Sequence, residues 1–218
     1  MRARPEKPTL RGVLFDWDGT LLDSYHADAQ AYLAMFHALG IDWDLEDLAR
    51  HYAPDWYHVY RAARLPRARW EEAGRLWNHF YRRQTPALLP GARQVLRELG
   101  RQFRLALVTS GNRARVSRQL RRFGLAERFA ARVCSEDAHR RKPHPAPLEL
   151  ALRRLRLEPE VCVYVGDAPE DIEMARRAGV RAIAVLGPYP VRDRLRAARP
   201  DALLPSIDRL PRLLFERY

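Results

Sequence analysis

The sequence predicts an α/β fold: a Rossmann-like parallel sheet with helices on both faces and an inserted α-helical cap. Two observations support this fold class. Apolar runs of strand length alternate with helical segments along the second half of the chain, as in a parallel sheet covered on both faces. The first strand breaks this alternation, because about 88 residues of mostly helical pattern separate Asp16 from the next strand near Arg104.

Each predicted strand is a short apolar run that ends at a turn or a polar residue. The helices between them begin or end at proline and glycine, as at Gly124 and Gly179, which predict helix ends. The predicted strands are Gly12–Phe15, 105–108, 132–134, 161–165 and 182–186, with Ala202–Leu204 as a further candidate, and the predicted helices are 91–99, 113–123, Ala146–Leu155 and 171–178.

The long gap after the first strand is the predicted cap. We expect residues 1–22 and 89–218 to form the α/β core domain and residues 23–88 to form the cap. Aromatic residues at helical spacing in this insert are typical of a helical core rather than of ligand contacts. An insert that directly follows an acidic strand end can act as a lid. The aromatic residues are Tyr25, Tyr32, Phe36, Trp70, Trp77, Phe80 and Tyr81.

The amino-acid composition limits the classes of protein to which this chain can belong. Of 218 residues, 47% are hydrophobic and 30% charged, which is typical of globular proteins. No apolar run approaches the roughly 18 residues that span a bilayer, so we expect a cytoplasmic protein. We also expect a monomer or homodimer. Cys134 and Cys162 lie in apolar runs, which predicts buried thiols rather than a disulfide or a zinc site.

The net charge of +12 raises the question of nucleic-acid binding. The arginines are spread over nearly every helix, and no helix-turn-helix, zinc-finger or aromatic RNA-binding signature accompanies them. We therefore expect no specific nucleic-acid partner, although the positive field would attract phosphorylated substrates. Lysine is rare, and Lys142 stands out inside the globular part beside Arg140 and Arg141.

The most informative stretch follows the first strand. Asp16 and Asp18 end that strand two residues apart, and Gly19 lets the chain turn away. Two carboxylates crowded at the end of a buried strand are costly unless a cation or a proton lies between them. The pair therefore indicates a metal or acid–base site.

Polar residues also follow the other predicted strands. The second ends in Thr109, Ser110, Gly111 and Asn112, whose hydroxyls and backbone N–H groups before a helix could hold an anion. Lys142-Pro143 follows the third strand, and the proline stiffens that loop.

The fourth predicted strand ends in Gly166-Asp167, followed by Asp171. Asp171 fits either a helix cap or a site acid. Parallel sheets bind ligands at the carboxyl ends of their strands, so all these groups are expected to converge there.

In this order, the motifs Asp16-Trp17-Asp18-Gly19-Thr20, Thr109, Lys142-Pro143 and Gly166-Asp167 with Asp171 resemble those of the haloacid dehalogenase superfamily of phosphotransferases. The resemblance runs over about residues 10–204. It is greatest to the phosphoglycolate phosphatase-like branch with a helical cap, of which residues 166–180 are very typical.

The resemblance implies an Mg²⁺-dependent phosphomonoesterase that acts on a small phosphorylated metabolite, with phosphoglycolate the first ester to test. Asp16 would form an aspartyl-phosphate, and Asp18 would serve as general acid and base. The metal ligands would be Asp16 and Asp167, the backbone carbonyl of Asp18, and Asp171 directly or through water. Thr109 and its neighbours Ser110, Gly111 and Asn112 would hold the phosphoryl oxygens, and Lys142 would neutralise charge.

Two alternatives stay open from the sequence. The first is a sugar-phosphate mutase of the β-phosphoglucomutase type, which shares these core motifs. The second is not an enzyme at all but a basic binding protein without catalytic activity. The candidates for recognising the leaving group lie in the insert and are His51, Tyr57, Tyr60, Arg61 and Arg64. Either arginine could pair with a substrate carboxylate or second phosphate.

Overall fold

A computed structural model describes residues 9–53 and 55–217, so the first eight residues of the predicted core segment lie outside it. The strands are β1 (Gly12–Phe15), β2 (Leu22–Asp23), β3 (Ala87–Leu88), β4 (Arg104–Val108), β5 (Ala131–Val133), β6 (Cys162–Gly166), β7 (Arg181–Val185) and β8 (Ala202–Leu204). The α-helices of the described residues are α1 (Tyr25–Ala38), α2 (Leu45–His51), α3 (Trp56–Ala62), α4 (Trp70–Tyr81), α5 (Ala92–Leu99), α6 (Arg113–Arg122), α7 (Ala146–Leu155), α8 (Pro169–Arg177), α9 (Arg192–Ala197) and α10 (Leu210–Arg217).

Six strands form one parallel sheet in the order β5-β4-β1-β6-β7-β8. This confirms the predicted α/β fold, and each of the six predicted strands is present with its ends within one residue. Strand β1 lies between β4 and β6, so the residues that follow it emerge at the centre of the carboxyl edge.

Helices cover both faces of the sheet, and the alternation of strand side chains assigns each residue to a face. Val13 and Phe15 pack in one cluster with apolar residues of α5, α6 and α10. Leu14 points the other way, into a cluster with residues of α7, α8 and α9. Strands buried on both faces need continuous apolar runs, which is why the sequence shows them.

The insert holds α1 to α4 and has a separate apolar cluster that includes Tyr32, Phe36 and Val59. Its two ends meet in the short antiparallel pair β2–β3, next to the ends of the segment 23–88 expected from the sequence. Most of its aromatic residues pack into this cluster or against it, as their helical spacing predicts.

Helices α9 and α10 and the β2–β3 pair were not predicted, and all of them are short or rich in arginine. Cys134 and Cys162 are buried and unbonded, as predicted, and burial raises the pKa of both thiols to about 11. None of the helices in residues 9–53 and 55–217 has the length and hydropathy needed to cross a membrane.

Candidate active site

The turn after β1 brings two carboxylates to the centre of the sheet edge. Asp16 is buried, and Asp18 is partly exposed. Between them and the next strand, Gly19 adopts a φ of +81°, which favours glycine. A Cβ atom on Gly19 would lie 2.1 Å from Oδ2 of Asp167, so this close approach also excludes any larger residue.

Asp16, Asp167 and Asp171 form a group of three buried carboxyls, each with an oxygen within 4.8 Å of the others. Burial is the main cause that raises the pKa of Asp16 to about 7, and it raises the pKa of Asp167 well above its usual range. Charged carboxylates at this separation in a buried place are unfavourable without a cation. Thr20 anchors the group by donating a hydrogen bond from Oγ1 to Oδ1 of Asp167 at 2.8 Å.

Lys142 supplies one positive charge to this group. Its Nζ atom lies 2.5 Å from Oδ1 of Asp16 and 2.7 Å from Oδ1 of Asp171. Burial opposes the lysine charge, but the two carboxylates outweigh it and raise the pKa of Lys142. The lysine is therefore an ammonium ion placed directly beside Asp16.

Asp171 combines the two roles that its sequence position left open. Its Oδ2 atom accepts a hydrogen bond from the backbone N–H of Ala168 at 3.1 Å, which caps the start of α8. Its Oδ1 atom accepts one from the Tyr164 hydroxyl at 3.1 Å and faces Lys142. The hydrogen bond that caps α8 thus fixes the direction of the Asp171 side chain.

Asp18 turns towards α6, where Arg115 binds both of its carboxylate oxygens, at 2.8 and 2.6 Å. The Asp18 side chain is therefore not a member of the three-carboxyl group. Arg115 is buried, and sequence reasoning did not single it out among so many arginines.

The loop after β4 lies next to these groups. The hydroxyl of Thr109 accepts a hydrogen bond from the N–H of Gly111 at 3.0 Å. Asn112 caps α6 by accepting from the N–H of Arg115, and its Nδ2 donates to Oδ1 of Asn78 on α4 of the insert at 3.0 Å. The loop thus connects the sheet edge with the insert.

A cavity of about 220 Å³ lies between the sheet edge and the insert. All the predicted site residues of the core line it, and the insert adds aromatic residues and one acid. The predicted residues are Asp16, Asp18, Thr109, Ser110, Gly111, Asn112, Lys142, Asp167 and Asp171.

The predicted recognition residues of the insert are placed differently. Tyr60 lines the cavity, but His51, Tyr57, Arg61 and Arg64 do not. His51 stacks on Trp43, Tyr57 stacks on Trp70, Arg61 pairs with Asp55 at 3.5 Å, and Arg64 is exposed.

Several cavity residues were missed or interpreted otherwise. Tyr32 and Trp77 were assigned to the core of the insert because of their helical spacing, yet they also line the cavity. Asp28 and Arg115 carried no local signal. Tyr189 could have been found, because it follows a predicted strand at the same sheet edge as the motif acids.

Comparisons with known proteins agree with this geometry. Residues 13–185 match the sequence profile of the family described as "Haloacid dehalogenase-like hydrolase". The chain is 30% identical over 214 residues to a phosphoglycolate phosphatase of Yersinia pseudotuberculosis, with 89% of each chain covered. It is also 30% identical over 205 residues to the pyrophosphatase PpaX of Bacillus thuringiensis, covering 91% of this chain and 94% of the relative.

The crystal structure of CbbY from Rhodobacter sphaeroides in complex with phosphate is similar as well. Its TM-score is 0.79 at 28% sequence identity, over 93% of this chain and 96% of that chain. The matched profile spans the turn after β1, the loop after β4, Lys142 and the carboxyl end of β6. The chain therefore belongs to the haloacid dehalogenase-like hydrolase family and is an enzyme of that class.

Proposed function

We propose that this hydrolase is an Mg²⁺-dependent phosphatase that cleaves a small phosphomonoester through an aspartyl-phosphate on Asp16. The observation that carries the proposal is the position of Asp16, which lies beside Lys142 and within a group of three buried carboxyls at the floor of the cavity. The phosphatase and pyrophosphatase names of the relatives support the same reaction class.

The donor set fits magnesium. Three carboxyls within 4.8 Å of one another offer only oxygen ligands. Burial raises the pKa of Asp16 and of Asp167, and the single charge of Lys142 does not balance three carboxylates. Asp16 and Asp167 would hold the ion, with the carbonyl of Asp18 and with Asp171 directly or through water. When bound, Mg²⁺ would screen the charges of the carboxylate and the phosphoryl group and bring them together.

In the first step, a carboxylate oxygen of Asp16 attacks phosphorus, and the bond from phosphorus to the leaving oxygen breaks. Asp18, protonated on one carboxyl oxygen while Arg115 holds the other, gives its proton to the leaving oxygen. Lys142 and the hydroxyls and N–H groups of the loop that begins at Thr109 stabilise the charge on the three phosphoryl oxygens.

In the second step, a water molecule attacks the phosphorus of the aspartyl-phosphate. Asp18, now ionised, accepts a proton from that water, and the bond between Asp16 and phosphorus breaks. Inorganic phosphate leaves, and both aspartates return to their starting states. One carboxyl thus serves as acid and then as base.

We propose further that residues 23–88 act as a cap over a core made of residues 1–22 and 89–218. The cavity has walls from both parts, and the two chain connections between them lie side by side in the β2–β3 pair. Closure of such a cap would exclude bulk water during the first step and admit one water in the second.

Hydrolysis of p-nitrophenyl phosphate tests the proposal. We expect turnover with Mg²⁺, loss of turnover with a chelator, and loss of turnover in Asp16→Asn, because an amide is not a nucleophile. The exposed Asp193→Asn is a matched control that should retain full activity.

Three outcomes would contradict the proposal or a part of it. Activity retained in Asp16→Asn would contradict the assigned nucleophile. Phosphoryl transfer to a sugar phosphate in preference to water would favour the mutase alternative, and no turnover of any monoester would favour the non-catalytic one.

A further inference from the structure

The insert contributes one carboxyl to the cavity that the proposed reaction does not use. Asp28, on α1, is only 8% exposed and lines the same cavity as Asp16 and Asp18. Its Oδ2 atom accepts a hydrogen bond from the hydroxyl of Tyr189 at 3.2 Å. This acid therefore faces the space that a leaving group would occupy.

Asp28 has no ion-pair partner among the residues that the structure describes, and the nearby Arg115 already binds both oxygens of Asp18. A buried carboxyl that has only neutral hydroxyls as partners is costly to ionise. Burial raises the pKa of Asp28 to about 7, the charge of Asp18 adds to this, and Arg115, Tyr189 and Tyr52 oppose it. A cation beside Asp28 would offset that cost.

The walls around this carboxyl are aromatic. Ring faces carry negative potential and attract cations, and a carboxylate with several rings is the usual arrangement for holding an ammonium group. The ring of Trp56 already attracts a cation of the protein itself, since the guanidinium of Arg141, which does not line the cavity, lies 3.6 Å from the ring centre. The aromatic residues that line the cavity are Tyr32, Tyr52, Trp56, Tyr60, Trp77 and Tyr189.

We propose that Asp28 and these rings bind a positively charged amine on the leaving group, so that the preferred substrate is a small ammonium-bearing phosphomonoester. The inference rests on the proposed phosphatase function and names its substrate class. It differs from the expectation of phosphoglycolate, because the carboxylate of that ester would face Asp28. Arg61 and Arg64, the two arginines of the insert that could have paired with such a carboxylate, do not line the cavity.

Three phosphomonoesters with the same two-carbon skeleton test this inference: 2-aminoethyl phosphate, 2-hydroxyethyl phosphate and phosphoglycolate. They end in an ammonium, a hydroxyl and a carboxylate. With Mg²⁺ and wild-type enzyme, we expect kcat/KM to be highest for the ammonium ester and lowest for the carboxylate, with about tenfold between successive esters. Equal values, or a preference for the hydroxyl or the carboxylate ester, would overturn the inference.

Asp28→Asn provides a second measurement. It should lower kcat/KM for the ammonium ester about tenfold relative to the hydroxyl ester, while Asp42→Asn, an exposed aspartate of the same insert, should leave the ratio unchanged. An unchanged ratio in Asp28→Asn would overturn the inference.

Parallel assays with p-nitrophenyl phosphate separate the two proposals. Turnover of that ester without the expected order overturns only the substrate class. Absence of its turnover overturns the phosphatase function and the substrate class together.

Discussion

Arg115 and Asp18 are 97 residues apart in sequence and face each other through two parallel hydrogen bonds of 2.8 and 2.6 Å. The guanidinium also lies 5.8 Å from the ring centre of Trp77 and 5.0 Å from that of Tyr81, both on α4 of the insert. One buried side chain thus fixes the orientation of the proposed general acid and contacts the insert at the same time. The planar guanidinium of an arginine suits this position, since it can bind both carboxylate oxygens of Asp18 and pack against the two aromatic rings.

The first prediction concerns this pair. Arg115→Lys keeps the positive charge but loses the fork, so Asp18 should no longer be held in one orientation. We expect kcat/KM to fall by about tenfold to a hundredfold for an alkyl phosphomonoester, whose leaving oxygen needs a proton. The decrease should be much smaller for p-nitrophenyl phosphate, whose leaving group needs none. Equal decreases for both esters would indicate a structural role alone.

The second prediction concerns Lys142. Its Nζ atom is buried between Asp16 and Asp171. The guanidinium of Lys142→Arg is larger and planar, so it does not fit a space that holds a compact ammonium group. We expect kcat to fall by at least about a hundredfold. The exposed Arg140→Lys, a charge-conserving change two residues away, is the control and should stay near the wild-type rate. Near-normal turnover in Lys142→Arg would mean that the lysine is incidental.

The third prediction concerns the metal. If three crowded carboxyls hold Mg²⁺, saturating Mg²⁺ should raise the melting temperature by about 5 °C. Without metal, Asp167→Asn should have a higher melting temperature than the wild type, because one buried acid is gone. On addition of Mg²⁺, the melting temperature of this variant should increase much less than that of the wild type. Thermal melts with a chelator and with Mg²⁺ measure both effects. An equal rise in wild type and Asp167→Asn would argue against the assigned ligand.

The fourth prediction is a pH dependence of stability. Burial raises the pKa of Asp28 from 3.8 to about 7, so between these values the folded state binds more protons than the unfolded state. The contribution of this group to the free energy of unfolding therefore falls as the pH rises through that range. Asp28→Asn removes the effect, so its stability relative to wild type should be greater at about pH 8 than at about pH 5, by on the order of 2 kcal/mol.

Urea unfolding in the presence of a chelator measures this difference, and Asp42→Asn serves as the exposed control. The other acids are the same in both proteins, so their contributions largely cancel in the comparison. A relative stability that is the same at both pH values would show that the Asp28 carboxyl does not carry the raised pKa.

Local patterns were sufficient for most of the fold. Short, mostly apolar runs predicted all six strands of the large sheet, because strands in a sheet covered on both faces have few polar positions. The helices that cover it were predicted where proline and glycine mark their ends. Helix α9, with only six residues, and helix α10, in an arginine-rich stretch, lacked such a pattern.

The core part of the site was also predictable from the sequence. Parallel strands end at one edge, so Asp16, Thr109, Lys142 and Asp167 had to converge once the strands were identified. The cavity residues of the insert could not be found in this way. Helical spacing says which residues lie on the inner face of a helix bundle, but it does not say which of them face the neighbouring sheet.

The sequence by itself determined the sheet, the family motifs and the group of acids, because these depend on patterns within single strands and on a shared edge. Only the tertiary structure decided that Arg115 binds Asp18, that Asp28 enters the cavity and that Arg61 and Arg64 stay outside it. The reason is geometric. The Arg115–Asp18 pair depends on how α6 packs against the turn after β1, and the other placements depend on how the separately packed helical insert lies against the sheet. No local pattern encodes contacts between segments that far apart in sequence.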